Sequence, residues 1–354
     1  MGSLRVLMIG TSLHTMGGIA AVVNQYLGSS LTQKFKIRYL ASHCDGNLAQ
    51  KGFKALWAYY LFFYHLLTLK PDIIHIHGAS RASFYRKTPF FLFSKFFGKK
   101  IIFHLHGGEF MQFYHNESGQ TKKKYIRSVL EMADIIIVLS YKWRDNLNTI
   151  SDNLNTTILF NSIKISPLKN RIPYKNKIQN VLFLGKIDRN KGIFDIIEAG
   201  KSLLKITNQF RFIICGDGNI ERCKTLCKEK GVMEYFIFKG WISGKQKTHL
   251  LENADIFILP SYNEGMPMSV IEAMSFGLPV IATNVGGIPE IIKHEKTGFL
   301  IEPGDVSGLI YYLEKLIKNR ELASNIGRSG RQLALEKFDI NKSVKKLESI
   351  YLSV

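Results

Sequence analysis

Residues 180–197 read Asn180-Val-Leu-Phe-Leu-Gly185-Lys186-Ile-Asp-Arg-Asn-Lys191-Gly192-Ile-Phe-Asp-Ile-Ile197. A short β-branched and apolar run that stops at a glycine is the pattern of a strand covered on both faces. Lys186 stands at the carboxyl end of that strand, and Lys191-Gly192 opens a helical segment over 193–205. Strand, turn and helix in this order make one β–α unit, the building block of a parallel sheet.

The same unit recurs in both directions. Apolar runs lie at 5–9, 36–40, 72–76, 100–105, 134–139 and 157–160 on one side, and at 210–215, 235–239, 255–259, 279–282 and 298–301 on the other. Helical segments at 19–27, 121–131, 245–252 and 267–276 alternate with them. The alternation predicts an α/β protein with parallel sheets. It pauses at 162–179, where Pro167 and Pro173 stand among Lys164, Lys169, Arg171, Lys175 and Lys177. The expected division is an N-terminal domain at 1–161, a linker at 162–179, a second domain at 180–340, and a helix at 341–354 able to pack back on the N-terminal domain. Two such sheets flank one crevice, and in open α/β sheets ligands bind beyond the carboxyl ends of the strands.

With 46% apolar residues in 354, the chain has the material for two cores, and a disordered protein is excluded. Four cysteines are too few for a disulfide scaffold, so a reducing compartment is expected. The first apolar run is too short for a signal peptide. The most apolar window, 55–69, contains His65 and Thr68 and falls short of the about 20 residues a spanning helix needs. Net charge is +20, and residues 1–165 hold 20 Lys and Arg against 8 Asp and Glu. Arg81 to Lys100 sets basic residues among aromatics, and Lys122, Lys123, Lys124 and Arg127 follow. Such a face suits an anionic membrane surface or an anionic substrate steered by the field, or it is an ordinary solvated surface. Nucleic acid is not expected as a partner, since Phe-Phe-Leu-Phe at 90–93 is poorly placed for base stacking.

Four constellations carry chemistry. Glu264 precedes a helix beginning near Pro267, and Glu272 lies two turns inside it, where a carboxylate can hold a sugar hydroxyl pair. Amides near Gly265, Met266 and Pro267 suit phosphate or hydroxyl. Lys186 and Lys191 could neutralise a diphosphate. The glycine-rich turn from Gly10 through Gly17-Gly18 leads into a helix and could cradle phosphate. The dinucleotide fingerprint is absent, which disfavours hydride transfer. His75 and His77 end one strand, and His104 and His106 end the next, before Gly107-Gly108-Glu109. Period two puts each pair on one face, and neighbouring strand ends could bring His77 and His106 together. These side chains suit a polar substrate contact or a buried hydrogen-bonded role. No Asp-x-Asp occurs, and no metal site is expected. Each carboxylate and lysine, taken alone, is equally well a helix-start or surface residue.

Joined in order, the motifs resemble a family. They are Gly185-Lys-Ile-Asp-Arg-Asn-Lys-Gly192, Gly216-Asp-Gly218, Phe238-Lys-Gly-Trp-Ile-Ser243, Ala254 to Ser261, Glu264-Gly-Met-Pro with Glu272-Ala-Met, and Gly277 to Thr283 with Gly286-Gly287-Ile-Pro-Glu290. The chain is similar to the retaining glycosyltransferases of family 4, which have the GT-B fold of two Rossmann-like doubly wound domains facing a central cleft. The match is dense over 180–305 and looser at Gly17-Gly18 and His104-x-His106-Gly107. The resemblance implies roles. Lys186 and Lys191 would hold the donor diphosphate, with Lys186 standing where the family usually has Arg and so lacking the bidentate fork. Glu264 would touch the donor sugar, and Glu272 the ribose. The backbone at Trp241-Ile242 would face the base, Gly17 and Gly18 would close on the phosphates, and His106 would contact the transferred sugar. Glu109 and His77 are expected on the acceptor side. Neither a cofactor nor a metal would be required.

The function expected is hexose transfer from a nucleotide-sugar to a glycan, lipid-linked, in bacterial surface polysaccharide assembly (lipopolysaccharide or capsule). The enzyme would be cytoplasmic and peripheral at the inner face of the cytoplasmic membrane. The competing readings are a cytosolic transferase with a soluble acceptor, whose window 53–70 lies wholly in the core, a sugar-nucleotide epimerase of the same fold, and a non-enzymatic binding module.

Overall fold

Each apolar run falls on a strand of the computed structural model, which describes residues 4–165, 167 and 178–354. The chain divides into two units, Met1–Lys164 with Asp339–Val354, and Ile165–Phe338. Of the expected linker, residues 166 and 168–177 lie outside the described residues.

The first unit's sheet holds β1 (Arg5–Gly10), β2 (Lys36–Ala41), β3 (Ile73–Gly78), β4 (Lys100–Leu105), β5 (Ile135–Val138) and β6 (Thr156–Ile158), all parallel, in the order β2-β1-β3-β4-β5-β6. Every residue of β3 and β5 is buried, because helices cover both faces. The edge strand β2, Lys36-Ile-Arg-Tyr-Leu-Ala41, is more exposed and its burial alternates. Helices α1 (Gly18–Leu27), α2 (Leu31–Lys34), α3 (Leu48–Thr68), α4 (Ala82–Phe96), α5 (Phe110–Asn116), α6 (Gln120–Leu130) and α7 (Tyr141–Asn148) connect the strands.

The second sheet holds β7 (Gln179–Leu184), β8 (Phe210–Cys215), β9 (Phe236–Gly240), β10 (Ile256–Leu259), β11 (Val280–Thr283) and β12 (Phe299–Ile301), again parallel, in the order β12-β11-β10-β7-β8-β9. Its helices are α8 (Ile193–Leu203), α9 (Ile220–Glu229), α10 (Gly244–Asn253), α11 (Met268–Ser275), α12 (Ile288–Ile291), α13 (Val306–Lys318) and α14 (Arg320–Lys337). Cys223 and Cys227 are buried on α9.

In both sheets the winding direction reverses once, between β1 and β3 and between β7 and β10. Such a switch point leaves a gap at the strand ends where ligands bind.

Helix α3 starts at a reciprocal cap. The Asn47 side chain accepts from the Gln50 amide (2.9 Å), and Gln50 accepts from the Asn47 amide (3.0 Å). Its inner face buries Ala58, Phe62 and Leu66. Its outer face carries Phe53, Leu56, Trp57, Tyr60, Tyr64 and Leu67, between 46% and 71% exposed. The window at 53–70 is therefore not wholly in the core, because apolar residues at helical spacing run along two faces and only one meets the sheet. No helix of the described residues is long and apolar enough to cross a membrane.

The last helix, α15 (Ile340–Leu352), belongs to the first unit. The Asp339 side chain accepts from the Asn341 amide, and the Ile340 amide donates to the Ile163 carbonyl (2.9 Å). Tyr351 is fully buried, and its hydroxyl lies 2.7 Å from His75 Nδ1. Tyr351→Phe leaves that ring nitrogen buried without its partner. It is expected to lower unfolding free energy by about 1–3 kcal/mol. Urea denaturation beside the exposed control Tyr311→Phe reads the difference, and equal midpoints for both variants would show that the bond adds nothing.

Candidate active site

In the second unit, the loops leaving β7 and β10 meet at the switch point. Lys191 closes a single helical turn, Arg189–Lys191, started by Asp188, whose side chain accepts from the Lys191 amide (3.1 Å). Gly192 follows with φ of +72°, and a side chain there would collide with the Pro260 carbonyl, so glycine is required for the two loops to touch. The Tyr262 amide donates to the Asn190 carbonyl (2.8 Å), which ties the loops together.

Across this junction the Lys191 ammonium donates to Glu264 Oε1 at 2.6 Å, and the Ser261 hydroxyl donates to the same oxygen at 2.8 Å. Glu264 is 8% exposed while Lys191 is about a quarter exposed, so the lysine is the solvent-facing member. Gly286, with φ of +56°, packs on the Glu264 carbonyl where a side chain would not fit. The loop bearing Glu264 is thus fixed from both sides.

Lys186 reaches outward, 3.5 Å from Asp188, and remains largely exposed. Glu272 lies in the middle of α11 and accepts from Lys247 on α10 at 2.5 Å. Gly265 accepts from the Gly287 amide (2.7 Å). The Met266 side chain is buried, and Pro267 precedes α11 without an N–H to offer, so donors at this helix start come from backbone such as Met268 and Ser269. Ile242 is half-buried between β9 and α10, beside the half-exposed Trp241.

In the first unit, Gly17 and Gly18 stand at the start of α1 with open space where a side chain would sit. His77 is paired in register with His104 across β3 and β4. His77 Nδ1 lies 2.9 Å from His106 Nε2, so the strand ends do bring these two rings together. His77 is fully buried and His106 half-buried, which leaves His106 as the ring that reaches the surface. His77 is placed to orient His106 rather than to meet an acceptor directly. Burial holds His75 and His106 down to about 3, and pushes His77 and His104 well below the usual range, so the ladder is neutral at physiological pH.

Nitrogens of His75, His77 and His104 lie within 4.8 Å of one another. The His75 and His104 rings are within 4° of parallel, with centroids 5.6 Å apart. Glu109 faces Arg81, whose guanidinium also holds Glu117. Arg81 has φ of +55°, a strained conformation for a residue with a side chain.

Sequence reasoning passed over Lys247, Ser261 and Arg81 as partners. Ser261 stands inside a quoted motif and could have been found. Lys247 and Arg81 carry no local signal, since each meets its carboxylate only through the fold.

Two parallel sheets, each covered by helices and each reversing at a switch point, define a pair of Rossmann-like units, and the second has a lysine–carboxylate pair at its reversal. The chain belongs to the family-4 glycosyltransferases: residues 22–162 match the model for Glycosyltransferase Family 4, and residues 166–333 match that for Glycosyl transferases group 1. It is 29% identical over 283 residues to a 2-deoxystreptamine N-acetyl-D-glucosaminyltransferase of Niallia circulans, covering 75% of this chain and 72% of that one. It is 25% identical over 310 residues to the UDP-Gal:alpha-D-GlcNAc-diphosphoundecaprenol alpha-1,3-galactosyltransferase of Escherichia coli, covering 80% and 76%. The structure of a sucrose-phosphate synthase from Thermosynechococcus elongatus superposes with a TM-score of 0.84 at 19% identity, over 99% of this chain and 98% of that one, which establishes the GT-B fold. The protein is a glycosyltransferase.

Replacing Lys191 by Met removes the cation and strands a buried carboxylate. Transfer is expected to fall about 100-fold or more in kcat/KM, the scale of losing a charge-stabilising donor. Lys247→Ala frees Glu272 without removing it and is expected to change KM for the donor several-fold with kcat nearly constant. Steady-state kinetics separate the two, and an equal loss of kcat in both variants would contradict these assignments.

Proposed function

We propose that this glycosyltransferase moves a hexose from a nucleotide-sugar to a lipid-linked glycan with retention of configuration, in the assembly of a surface polysaccharide such as lipopolysaccharide or capsule. The observation that carries the donor side is the Lys191–Glu264 pair at the switch point of the second sheet. The glycosidic bond to the diphosphate breaks through an oxocarbenium-like state. Lys186 and Lys191 take up the charge growing on the leaving diphosphate, and backbone at Gly265, Met266 and the start of α11 adds N–H donors. Glu264 holds the sugar, Glu272 the ribose, and Ile242 borders the base. On the first unit, Gly17 and Gly18 serve the phosphates, and His106, oriented by His77, holds the sugar as a neutral imidazole. The acceptor oxygen forms the new bond on the face the diphosphate leaves, and its proton passes to a phosphate oxygen, so no metal and no protein nucleophile enter the step. Glu109, held by Arg81, faces the acceptor.

The lipid-linked acceptor is supported by the outer face of α3 and α4. Between residues 48 and 71, and again between 82 and 108, there is no Asp or Glu. Along these helices Phe53, Leu56, Trp57, Tyr60 and Tyr64 are exposed beside Leu92, Phe93 and Phe96, with Lys51, Lys54, Lys95 and Lys99 around them. Apolar rings rimmed by lysines match the headgroup region of an anionic leaflet. We place the enzyme peripherally at the inner face of the cytoplasmic membrane. The E. coli relative, named for a diphosphoundecaprenol acceptor, agrees with this reading. The N. circulans relative, named for 2-deoxystreptamine, favours the second reading, a soluble acceptor.

Flotation with vesicles of phosphatidylglycerol and with neutral phosphatidylcholine tests the membrane face. Binding is expected only to the anionic vesicles, to weaken with salt, and to be lost when Phe53, Trp57 and Tyr60 are all replaced by Ser. Equal flotation with both lipids would discard the anionic surface. For the reaction, the anomeric configuration of the product, read by NMR against that of the donor, distinguishes retention from inversion, and turnover without acceptor would mark an epimerase instead.

A further inference from the structure

The switch point of the first sheet holds charge that the residues above do not use. Lys87, on the second turn of α4, is 3% exposed. Its ammonium donates to the Gly10 carbonyl (3.1 Å) and to the Ser42 hydroxyl, and Ser42 donates to the same carbonyl (2.9 Å). These partners are neutral. Arg86, beside it, is half-buried, and neither cation has an ion-pair partner among the described residues. A buried cation without a counter-ion is costly.

The groups around it are donors left over. Thr11 Oγ1, Thr15 Oγ1, His43 Nδ1 and Arg86 Nε are buried and lack a hydrogen-bond partner among the described residues. They lie on segments tied together by backbone bonds: the Ser12 amide donates to the His43 carbonyl (2.7 Å), and the Ser42 amide to the Gly10 carbonyl (2.9 Å). The neighbouring acid, Asp45, already accepts from the Met16 amide (3.1 Å). Lys51, from α3, adds positive charge near His43. Two unpaired cations, two idle hydroxyls and a glycine-rich turn thus share the strand ends of β1 and β2, next to the gap between β1 and β3.

We propose that this cluster is an anion subsite, in which Lys87 and Arg86, with Thr11 and Thr15 of the turn, bind a phosphate-type group whose charge completes the pair that the fold leaves open. The anion site stands without the transferase reading. Only its source rests on that reading, as the phosphate of the lipid-linked acceptor or that of the donor.

A pH signature follows. Burial, with Arg86 adding to it, pushes the Lys87 ammonium from its ordinary 10.5 down to about 7. Because the folded value lies below the unfolded one, the unfolded chain binds more protons between those limits. Stability is therefore expected to rise with pH above about 7. An anion favours the charged form, so binding takes up a proton near neutral pH and weakens as pH rises. The titratable groups near Lys87 and Arg86 are His43 after β2, with Asp45 and Lys51 beside it, Tyr59 on α3, and His77 on β3, which burial holds well below its usual range and so neutral; Tyr39 on β2 donates to the Thr11 carbonyl of the same turn. His43 is lowered by burial and by these cations and stays neutral through this window.

The test is calorimetric titration of inorganic pyrophosphate into the full chain in a Lys191→Ala background, which removes one of the two lysines proposed to hold the diphosphate in the second unit. Binding at pH 6.5 is expected to fall ten-fold or more in Lys87→Met and to be retained in Lys87→Arg, with heats that depend on buffer ionisation. Lys87→Met is also expected to melt higher than the parent at pH 6.5 without ligand, whereas a lysine that merely braces Gly10 predicts a lower melting point. Pyrophosphate affinity unchanged by Lys87→Met, or no binding in the Lys191→Ala background, overturns the site. Kinetics then name the source: a rise in acceptor KM alone assigns the acceptor phosphate, and a rise in donor KM alone the donor. Absence of any transfer by the parent protein, with pyrophosphate binding intact, would count against the transferase reading and leave the subsite standing.

Discussion

Where a parallel sheet reverses its winding, the connections leave in opposite directions and the strand ends between them stand uncovered. Two loops then approach each other without a helix in between, and side chains far apart in sequence come within hydrogen-bond distance. Lys191 and Glu264 are 73 residues apart and meet at 2.6 Å for this reason. The meeting depends on close backbone contact at Gly192 and Gly286, where any side chain would hold the loops apart. The chemistry of the second unit is in this sense a property of strand order, and the residues that could be altered most harmfully include two with no side chain at all.

The fold was legible because the strands are covered on both faces, so each appears as an unbroken apolar run, and the edge strand β2 is the exception that alternates. The two carboxylates and two lysines were visible as candidates from their place after strands and before helices, a place that ordinary helix-start and surface residues share. Their partners were not. Lys247 sits on an otherwise polar helix whose pattern does not tell which lysine turns toward α11. The window at 55–69 was ambiguous for a physical reason: when both sides of a helix are apolar, periodicity does not say which side the sheet takes. Lys87 was hidden in a basic, aromatic stretch where a buried lysine and a solvated one look alike.

The histidine ladder shows how one period-two pattern can divide its labour. His75 is anchored to the C-terminal helix through Tyr351, and His77 is stacked on it with ring centroids 4.3 Å apart. His77 in turn touches His106, the member that reaches the surface. Burial makes all four rings neutral, so each is a donor on one nitrogen and an acceptor on the other, and fixing one tautomer constrains the next. A neutral, pre-oriented His106 suits recognition of hydroxyl groups better than a mobile cation would, because it offers direction without drawing in phosphate.

The two units treat their cations in opposite ways, and the difference has consequences for binding. Lys191 and Lys247 each already hold a carboxylate, so an arriving anion competes with a partner of the protein's own and gains less than a bare charge would give. Such pairing keeps the lysines in place and moderates the affinity for any anion that arrives there. Lys87 and Arg86 have no such partner among the described residues and lie beside a turn with two unbonded hydroxyls. Their burial lowers the stability of the empty protein at neutral pH, and binding an anion relieves that cost. Selectivity for charge is thus strongest where the fold is most strained electrostatically. A site that needs its ligand to become a satisfied structure discriminates against neutral sugars more sharply than one whose charges are matched in advance.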